Sequence, residues 1–217
     1  MAVVELCTFS PIVNLSKKKL SGGAWGSIHE ACCLGSSDCG YIGKWVDVSS
    51  EKDIQKYESE VKLQILASKH GATLPIIFAW IDEESKKGWF IMKRLHMDIR
   101  QYIKYNHLKK LPDRIAQKII EIFRIFRDLR IVHWDSHLGN FMLSSDENVF
   151  AIDFGQSKKY SETSWKKNLG RSIYDLSMFI NDLKSNKIEI NSILIDEYKI
   201  NASDIPLMSS DDLKRWG

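Results

Sequence analysis

The 217-residue sequence predicts an α+β protein of two lobes, the first rich in strands and the second helical. Before about residue 95, glycines and other turn residues separate short apolar runs that are typical of strands. Beyond that point, apolar residues recur at helical spacing. We therefore expect one domain, with an N-lobe at about 1–94 and a C-lobe at about 95–217.

Five strands and one long helix are expected in the first lobe. The helix spans about 51–69, where Ser50 can cap the first turn and Asp53 follows three residues later. Residues 82–88 form a polar turn, which predicts a hairpin between the last two strands. The five expected strands are 18–20, 27–33, 41–48, 74–81 and 89–95.

The second lobe is predicted to begin with a short helix at 98–105 and a longer one at 112–130. Apolar residues recur along one face of the longer helix, which therefore faces a core. A short hairpin of strands 141–143 and 149–152 follows. The stretch 184–217 is open to two interpretations, one or two short packed helices or a docking tail.

Composition excludes several classes of protein. A net charge of 31 − 28 = +3 is too mild to indicate nucleic-acid binding. No apolar run approaches the roughly 20 residues that span a bilayer, so no membrane association is expected. Residues 1–11 lack a basic region ahead of an apolar stretch, and the four cysteines form no CxxC pair. We therefore expect reduced thiols and an intracellular protein, cytoplasmic or nuclear.

Three oxygen-bearing side chains carry the most information. Asp135, Asn140 and Asp153 are spaced by five and then thirteen residues, and the predicted hairpin would return the third to the vicinity of the second. Magnesium prefers oxygen ligands and takes one or two from protein. Asn140 and Asp153 are therefore candidate magnesium ligands, and Asp135 is a candidate proton acceptor. The alternative is that Asp135 and Asn140 are ordinary turn or cap residues.

Two histidines flank this candidate proton acceptor. His133 and His137 lie in an apparent loop with glycine close by, so a helical zinc site is not expected. We interpret His133 as a structural residue that supports the loop backbone. The role of His137 is left open.

Two further features lie in the first lobe. The segment Ser21-Gly22-Gly23-Ala24-Trp25-Gly26-Ser27-Ile28 can bring backbone N–H groups to a phosphate, or it is a hairpin turn without a ligand. Lys44 lies in a predicted strand between apolar residues, so its ammonium requires an anionic partner. The candidates are phosphate oxygens, Glu60 or Glu58. The alternative is a solvent-facing lysine on an edge strand.

At these residues the chain resembles the protein-kinase-like superfamily, over about residues 20–180. The glycine loop matches at Gly23 and Gly26, with Ser21 in place of the first glycine. The resemblance implies that Lys44 holds the α- and β-phosphates and that Glu60 is its helical partner. It also implies a gatekeeper at Met92 and adenine bonds to the backbone of Lys93 to Leu95. The loop residues that would contact nucleotide are Ser21, Gly22, Gly23, Ala24, Gly26 and Ile28.

The same resemblance assigns roles in the second lobe. His133-Trp134-Asp135 matches the catalytic loop, with tryptophan where arginine is usual, so Asp135 would be catalytic. Asp153-Phe154-Gly155 matches the metal-binding motif. Asp175 resembles the helical aspartate that braces the catalytic loop.

Departures from the superfamily pattern matter as well. Only 22 residues separate Asp153 from Asp175, and no Ala-Pro-Glu follows the metal motif. We therefore expect a truncated C-lobe and a shortened peptide platform. Without arginine at Trp134, switching by activation-loop phosphorylation is not expected. These traits are similar to those of the RIO group, the small kinase of the KEOPS complex and small kinases of large DNA viruses.

The resemblance implies an ATP- and magnesium-dependent phosphotransferase, and we expect a serine/threonine protein kinase with a minimal activation segment. One alternative is a small-molecule kinase, because residues 135–140 also resemble aminoglycoside phosphotransferases. Another is a pseudokinase scaffold. The expected partner is a protein substrate, and a regulatory protein partner is left open. If the source is a virus, the expected location is the host cell.

Overall fold

The computed structural model describes residues 13–23, 26–33, 40–166 and 170–203. The fold is α+β, with a sheet-rich first part and a helical second part, which confirms the predicted fold class. The chain divides into two compact units. The first holds the described residues up to Leu95 together with Asp153–Gly155, and the second holds His96–Ile152 and the described residues from Gln156 onward. The grouping of both units into one domain stays a prediction.

The first unit is built on a five-stranded antiparallel sheet in the order β1-β2-β3-β5-β4. Its strands are β1 (Val13–Gly23), β2 (Gly26–Cys33), β3 (Tyr41–Asp47), β4 (Ile76–Asp82) and β5 (Lys87–Lys93). One helix, α1 (Glu51–Ser68), connects β3 to β4. The first strand begins five residues before the predicted one, because the apolar pattern before residue 18 is weak.

Helix α1 begins where the sequence predicted. Ser50 accepts a hydrogen bond from the Asp53 backbone, and the Asp53 side chain accepts one from the Ser50 N–H, which completes a capping box. The buried Tyr57 hydroxyl donates to the carbonyls of Trp80 at 3.1 Å and Trp89 at 2.5 Å. These bonds fix the helix against β4 and β5.

The second unit contains two small antiparallel sheets and five helices within the described ranges. One sheet has the order β6-β8-β9 and the other pairs β10 with β7. The elements are β6 (Met97–Asp98), α2 (Ile99–Tyr105), α3 (Asp113–Leu129), β7 (Ile131–Val132), β8 (Phe141–Leu143), β9 (Val149–Ala151), β10 (Lys158–Lys159), α4 (Glu162–Lys166), α5 (Arg171–Ser185) and α6 (Ser192–Ser203). None of the described helices combines the length and apolar character that crossing a bilayer requires.

Three phenylalanines form the centre of the second unit. Phe123 of α3, Phe141 of β8 and Phe179 of α5 are buried, with ring centroids 5.1 to 6.0 Å apart in edge-on pairs. The predicted apolar face of α3 therefore packs against the hairpin and α5. This packing fixes the start of β8, which directly follows Asn140.

Helix α6 answers part of the question about the C-terminal stretch. Arg124 of α3 binds both carboxylate oxygens of the buried Glu197, with Nη2 to Oε2 at 2.6 Å. The pair holds α6 against α3 as a packed helix. Residues 204–217, where a second helix or a tail was expected, lie outside the part of the chain that the structure describes.

One expectation about the cysteines is wrong. Cys32 of β2 is disulfide-bonded, whereas the sequence predicted reduced thiols. Sequence spacing does not report which sulfur atoms the folded backbone brings within bonding distance. The side chains of Cys7, Cys33 and Cys39 lie outside the part of the chain that the structure describes.

Candidate active site

The ammonium of Lys44 contacts two carboxylates. Its Nζ lies 2.6 Å from Glu60 Oε1 and 2.7 Å from Asp153 Oδ1, and all three residues belong to the first unit. Burial by itself would lower the pKa of Lys44, but the two carboxylates outweigh it and raise this pKa to about 12. Lys44 is therefore cationic throughout the neutral range.

The partner of Lys44 is Glu60 and not Glu58. Glu60 lies one turn beyond Tyr57 on the buried face of α1 and is 4% exposed. Glu58 instead pairs with Lys62 at 2.9 Å on the exposed face. The edge-strand alternative for Lys44 is wrong, because β3 lies between β2 and β5.

Asp153 has an unusual backbone conformation. Its φ is +63°, in the left-handed region that costs free energy for a residue with a side chain. A Cβ on Gly155 would lie 3.2 Å from Asp153 Oδ1 and 3.4 Å from Glu60 Oε2. Glycine at position 155 therefore leaves room for the two carboxylates. The Asp153 side chain is 46% exposed. A residue that binds a metal ion and a phosphate together needs such access.

The glycine loop is described in part. Gly22 and Gly23 end β1, opposite Ser27 and Gly26 of β2, and Ile28 lies opposite Lys44. A Cβ on Gly26 would lie 2.0 Å from the Trp45 carbonyl oxygen, so close backbone packing alone requires glycine there. Ala24 and the Ser21 side chain lie outside the described residues. The phosphate-binding role of this loop stays a prediction.

The predicted adenine-binding segment lies at the end of β5. Met92 is buried, and its Sδ accepts a hydrogen bond from Gln64 Nε2 at 3.5 Å. The Arg94 N–H donates to the Gly40 carbonyl at 2.8 Å, so this amide already has an acceptor. The backbone groups of Lys93 and Leu95 are the ones that the prediction assigned to adenine. That assignment stays a prediction.

Asp135 and Asn140 are in contact in the second unit. Asn140 Nδ2 donates to the Asp135 backbone carbonyl at 2.9 Å and to Asp135 Oδ2 at 3.0 Å. The Asn140 amide nitrogen is therefore committed to Asp135, and its amide oxygen is the atom that suits a metal. Asp135 is partly exposed, so its carboxylate can be reached by a substrate.

Helix α5 holds the loop around Asp135 through the loop's backbone. Asp175 accepts the N–H groups of His133 at 2.7 Å and Trp134 at 3.0 Å. Burial raises the pKa of Asp175, and these N–H donors act against that rise. The bracing role that the sequence suggested for Asp175 thus has a direct geometric basis.

Two further acceptors on α5 were missed from the sequence. Met178 Sδ accepts the Ser136 N–H at 3.0 Å, and Asp182 Oδ2 accepts the Leu138 N–H at 2.7 Å. The spacing of 175, 178 and 182 places the three acceptors on one helix face. A search for polar residues at helical spacing from Asp175 would have found Asp182.

The side chains of His133 and Trp134 also help to fix the loop. His133 Nε2 lies 2.9 Å from the Ile152 carbonyl, and its ring stacks on Phe126. Trp134 has a φ of +65°, and its Nε1–H donates to the Tyr160 hydroxyl at 3.2 Å. Tryptophan at this position therefore binds an aromatic residue of the segment after Asp153.

Two predicted site residues carry hard oxygen donors. Asn140 of the second unit has an amide oxygen, Asp153 of the first has a carboxylate, and each is a ligand type that Mg²⁺ prefers. No group of three or more His, Cys, Asp or Glu side chains suited to a metal occurs in the described ranges. Substrate phosphates and water would supply the remaining ligands. The metal-binding roles of these two residues stay a prediction.

A comparison with protein families matches residues 58–186 to the ABC1 atypical kinase-like domain. The match covers more than half of the chain and includes Glu60, Asp135, Asn140 and Asp153, while Lys44 and the glycine loop precede it. At a coarse level, such a domain indicates phosphoryl transfer with ATP and a metal. The chain therefore belongs to the ABC1 atypical kinase-like domain family, within the protein-kinase-like superfamily.

Proposed function

We propose that this protein transfers the γ-phosphoryl group of ATP to a hydroxyl acceptor, with Mg²⁺ as the metal. The observation that carries the proposal is the Lys44 ammonium held between Glu60 and Asp153 at 2.6 and 2.7 Å. A cation that is only 14% exposed, beside a partly exposed carboxylate, is suited to a ligand that brings phosphate and metal together. A purely structural ion pair would not require the second carboxylate.

Lys44 would position the phosphates, and Glu60 would keep its ammonium in place. Asp153 and the amide oxygen of Asn140 would hold magnesium, which when bound neutralises phosphate charge. Catalysis of phosphoryl transfer rests mainly on such positioning and charge stabilisation. Hydrogen bonds already orient the groups in these roles: Lys44 binds Glu60 and Asp153, and Asn140 binds Asp135.

Asp135 would accept the proton of the attacking hydroxyl. Its Oδ2 is held by Asn140, and its backbone is fixed through the neighbouring N–H groups that bind Asp175. A carboxylate with one oxygen anchored presents the other in a fixed direction. The pseudokinase alternative loses support, because each main catalytic position carries a residue able to perform its role.

For the acceptor, we propose a serine or threonine hydroxyl of a protein. Membership in the protein-kinase-like superfamily supports it. A small-molecule acceptor is the second candidate, favoured by the short stretch between Asp153 and Asp175. That stretch contains a 3₁₀ turn at Phe154–Gln156, then β10 and α4, and it ends within the first turns of α5. Members of the ABC1 family can be small-molecule kinases, which also supports this candidate.

The test compares wild type with Asp135→Ala and with Asp146→Ala, an exposed aspartate of the β8–β9 turn. Formation of ADP and transfer of labelled phosphate are measured with generic proteins, aminoglycosides and sugars as acceptors. We expect Asp135→Ala to lower turnover by about 10² to 10⁴-fold. Binding of Mg·ATP by calorimetry should change by less than about 3-fold, because Asp135 does not hold the nucleotide.

Two outcomes would contradict the proposal. Wild-type turnover in Asp135→Ala would remove Asp135 from the chemistry. A wild-type protein that neither binds Mg·ATP nor forms ADP would favour the scaffold. If the protein is active, transfer of labelled phosphate to protein supports the serine/threonine acceptor, and transfer to aminoglycosides or sugars supports the small-molecule acceptor.

A further inference from the structure

His137 lies beside the candidate proton acceptor with a defined ring orientation. Its Nδ1 accepts a hydrogen bond from the Gly139 N–H at 3.0 Å. An accepting Nδ1 carries no proton, so the proton of the neutral ring is on Nε2. That Nε2 lies 3.7 Å from Asp135 Oδ1, and both side chains are partly exposed.

The Asp135 carboxylate thus lies between two N–H donors. Asn140 Nδ2 binds Oδ2 at 3.0 Å, and His137 Nε2 faces Oδ1. The distance of 3.7 Å is longer than a direct hydrogen bond. Catalytic hydrogen bonds are often long without substrate and shorten in the reactive complex.

We propose that His137 is a positioning residue that acts through Asp135. Its Nε2–H holds Oδ1, so the carboxylate plane is set by His137 on one side and Asn140 on the other. This inference rests on the proposed function, because it concerns the orientation of the proton acceptor. It assigns no covalent step or proton transfer to the imidazole.

A purely structural role for His137 predicts something different. His137 caps the 3₁₀ turn Leu138–Asn140 through Nδ1, and a Cβ on Gly139 would lie 3.0 Å from the ring. Capping requires only an acceptor close to the backbone, which asparagine also supplies. The second ring nitrogen has no part in the cap, yet it is the nitrogen that faces Asp135.

Two substitutions separate these roles in the full-length protein. In His137→Asn, the side-chain oxygen can replace Nδ1 as the cap, but no donor remains at the position of Nε2. In His137→Gln, the longer amide can place an N–H near the Nε2 position, while the cap is weakened. The kcat and KM of ADP formation from Mg·ATP are measured for both, together with the melting temperature.

We expect His137→Asn to lower kcat by about 10 to 100-fold, the range found when a partner that orients a reactive group is lost. Its KM for Mg·ATP should stay within about 2-fold. His137→Gln should retain kcat within about 3-fold and lose a few degrees of melting temperature, since a cap is weakened. In an Asp135→Ala background, His137→Asn should cause little further loss, because both act as a unit.

The opposite pattern overturns the inference. Wild-type kcat in His137→Asn, or equal losses in both variants, would leave His137 as a cap only. If one of these results occurs and Asp135→Ala is inactive, only the role of His137 is overturned, and the proposed function stands. A wild-type protein without ADP formation and without Mg·ATP binding would overturn the proposed function and, with it, this inference.

Discussion

Lys44 and Asp153 are 109 residues apart in the chain, and their Nζ and Oδ1 atoms lie 2.7 Å apart. The same ammonium binds Glu60, whose side chain is 4% exposed. One cation therefore binds two carboxylates that would otherwise repel each other, and it offsets one of their two negative charges. The superfamily resemblance implied a pair of Lys44 and Glu60, whereas the structure shows three charged groups, with Asp153 as the third. Substitutions in this group should therefore change the free energy of unfolding.

Removing Lys44 should destabilise the protein more than removing its buried partner. Lys44→Met leaves Glu60 buried and uncompensated, which costs about 3 kcal/mol of unfolding free energy. Glu60→Gln leaves Lys44 bound to Asp153 and should cost about 1 kcal/mol. The double variant should recover part of the loss. Urea denaturation measures these differences.

Lys62→Met is the matched control for this series. Lys62 pairs with Glu58 at 2.9 Å on the exposed face of α1, so its loss should cost less than about 0.5 kcal/mol. If Lys44→Met and Lys62→Met lowered the free energy of unfolding equally, burial would not determine the strength of the Lys44 contacts.

Asp153 should control the effect of magnesium on nucleotide binding. In wild type we expect Mg²⁺ to strengthen ATP binding, because the metal links the carboxylate to the phosphates. In Asp153→Asn this gain should fall by about 10-fold or more, within the range for the loss of a charged partner. Calorimetric titrations of ATP with Mg²⁺ and with EDTA give the gain for each protein.

The EDTA titrations serve as the internal control for Asp153→Asn. ATP affinity without metal should stay near the wild-type value or increase, since a negative charge near the phosphates is removed. An undiminished magnesium effect in Asp153→Asn would exclude this residue as the ligand.

The acceptors on α5 should protect individual amides of the catalytic loop. Asp182→Ala should speed hydrogen exchange at the Leu138 amide by about 10-fold or more, since a hydrogen bond to a charged group is worth about 1.5 kcal/mol or more. Asp175→Asn should affect His133 and Trp134 instead. Amide exchange followed by NMR separates these sites.

Asp196→Ala, on the exposed side of α6, is the control for the exchange experiment. It should leave the loop amides unchanged. If Asp182→Ala and Asp175→Asn accelerated exchange equally along the whole loop, then the acceptors would stabilise the unit as a whole rather than single N–H groups.

Because position 134 is tryptophan, we expect the activity not to depend on phosphorylation of the segment that follows Asp153. A guanidinium at this position could bind a phosphate, whereas the indole instead donates to Tyr160 at 3.2 Å and packs on Tyr174, with ring centroids 4.4 Å apart. Phosphatase treatment should therefore change ADP formation by less than about 2-fold. Mass spectrometry confirms phosphate removal, and a loss above about 10-fold would contradict this account.

The local elements followed from the sequence because their causes are local. The capping box of Ser50 and Asp53 marked the start of α1, and the apolar face of α3 marked its core side. Glu60 was one of two expected carboxylate partners of Lys44, and the resemblance to the kinase superfamily implied it.

The remaining features depend on contacts between distant segments. Asp153 binds Lys44 and Cys32 forms a disulfide, and neither pairing has a periodic sequence signal. The left-handed backbone at Trp134 also has no local cause, because tryptophan does not favour that conformation.

The sequence by itself determined the α+β class, helices α1, α2 and α3, and the set of candidate site residues. Turn residues, caps and hydrophobic periodicity act over a few positions, so they can be read from neighbours in the chain. Only the tertiary structure decided that Lys44 contacts two carboxylates and that His137 turns its Nε2 toward Asp135. Such choices depend on burial and on distances between side chains, which form only when the chain has folded.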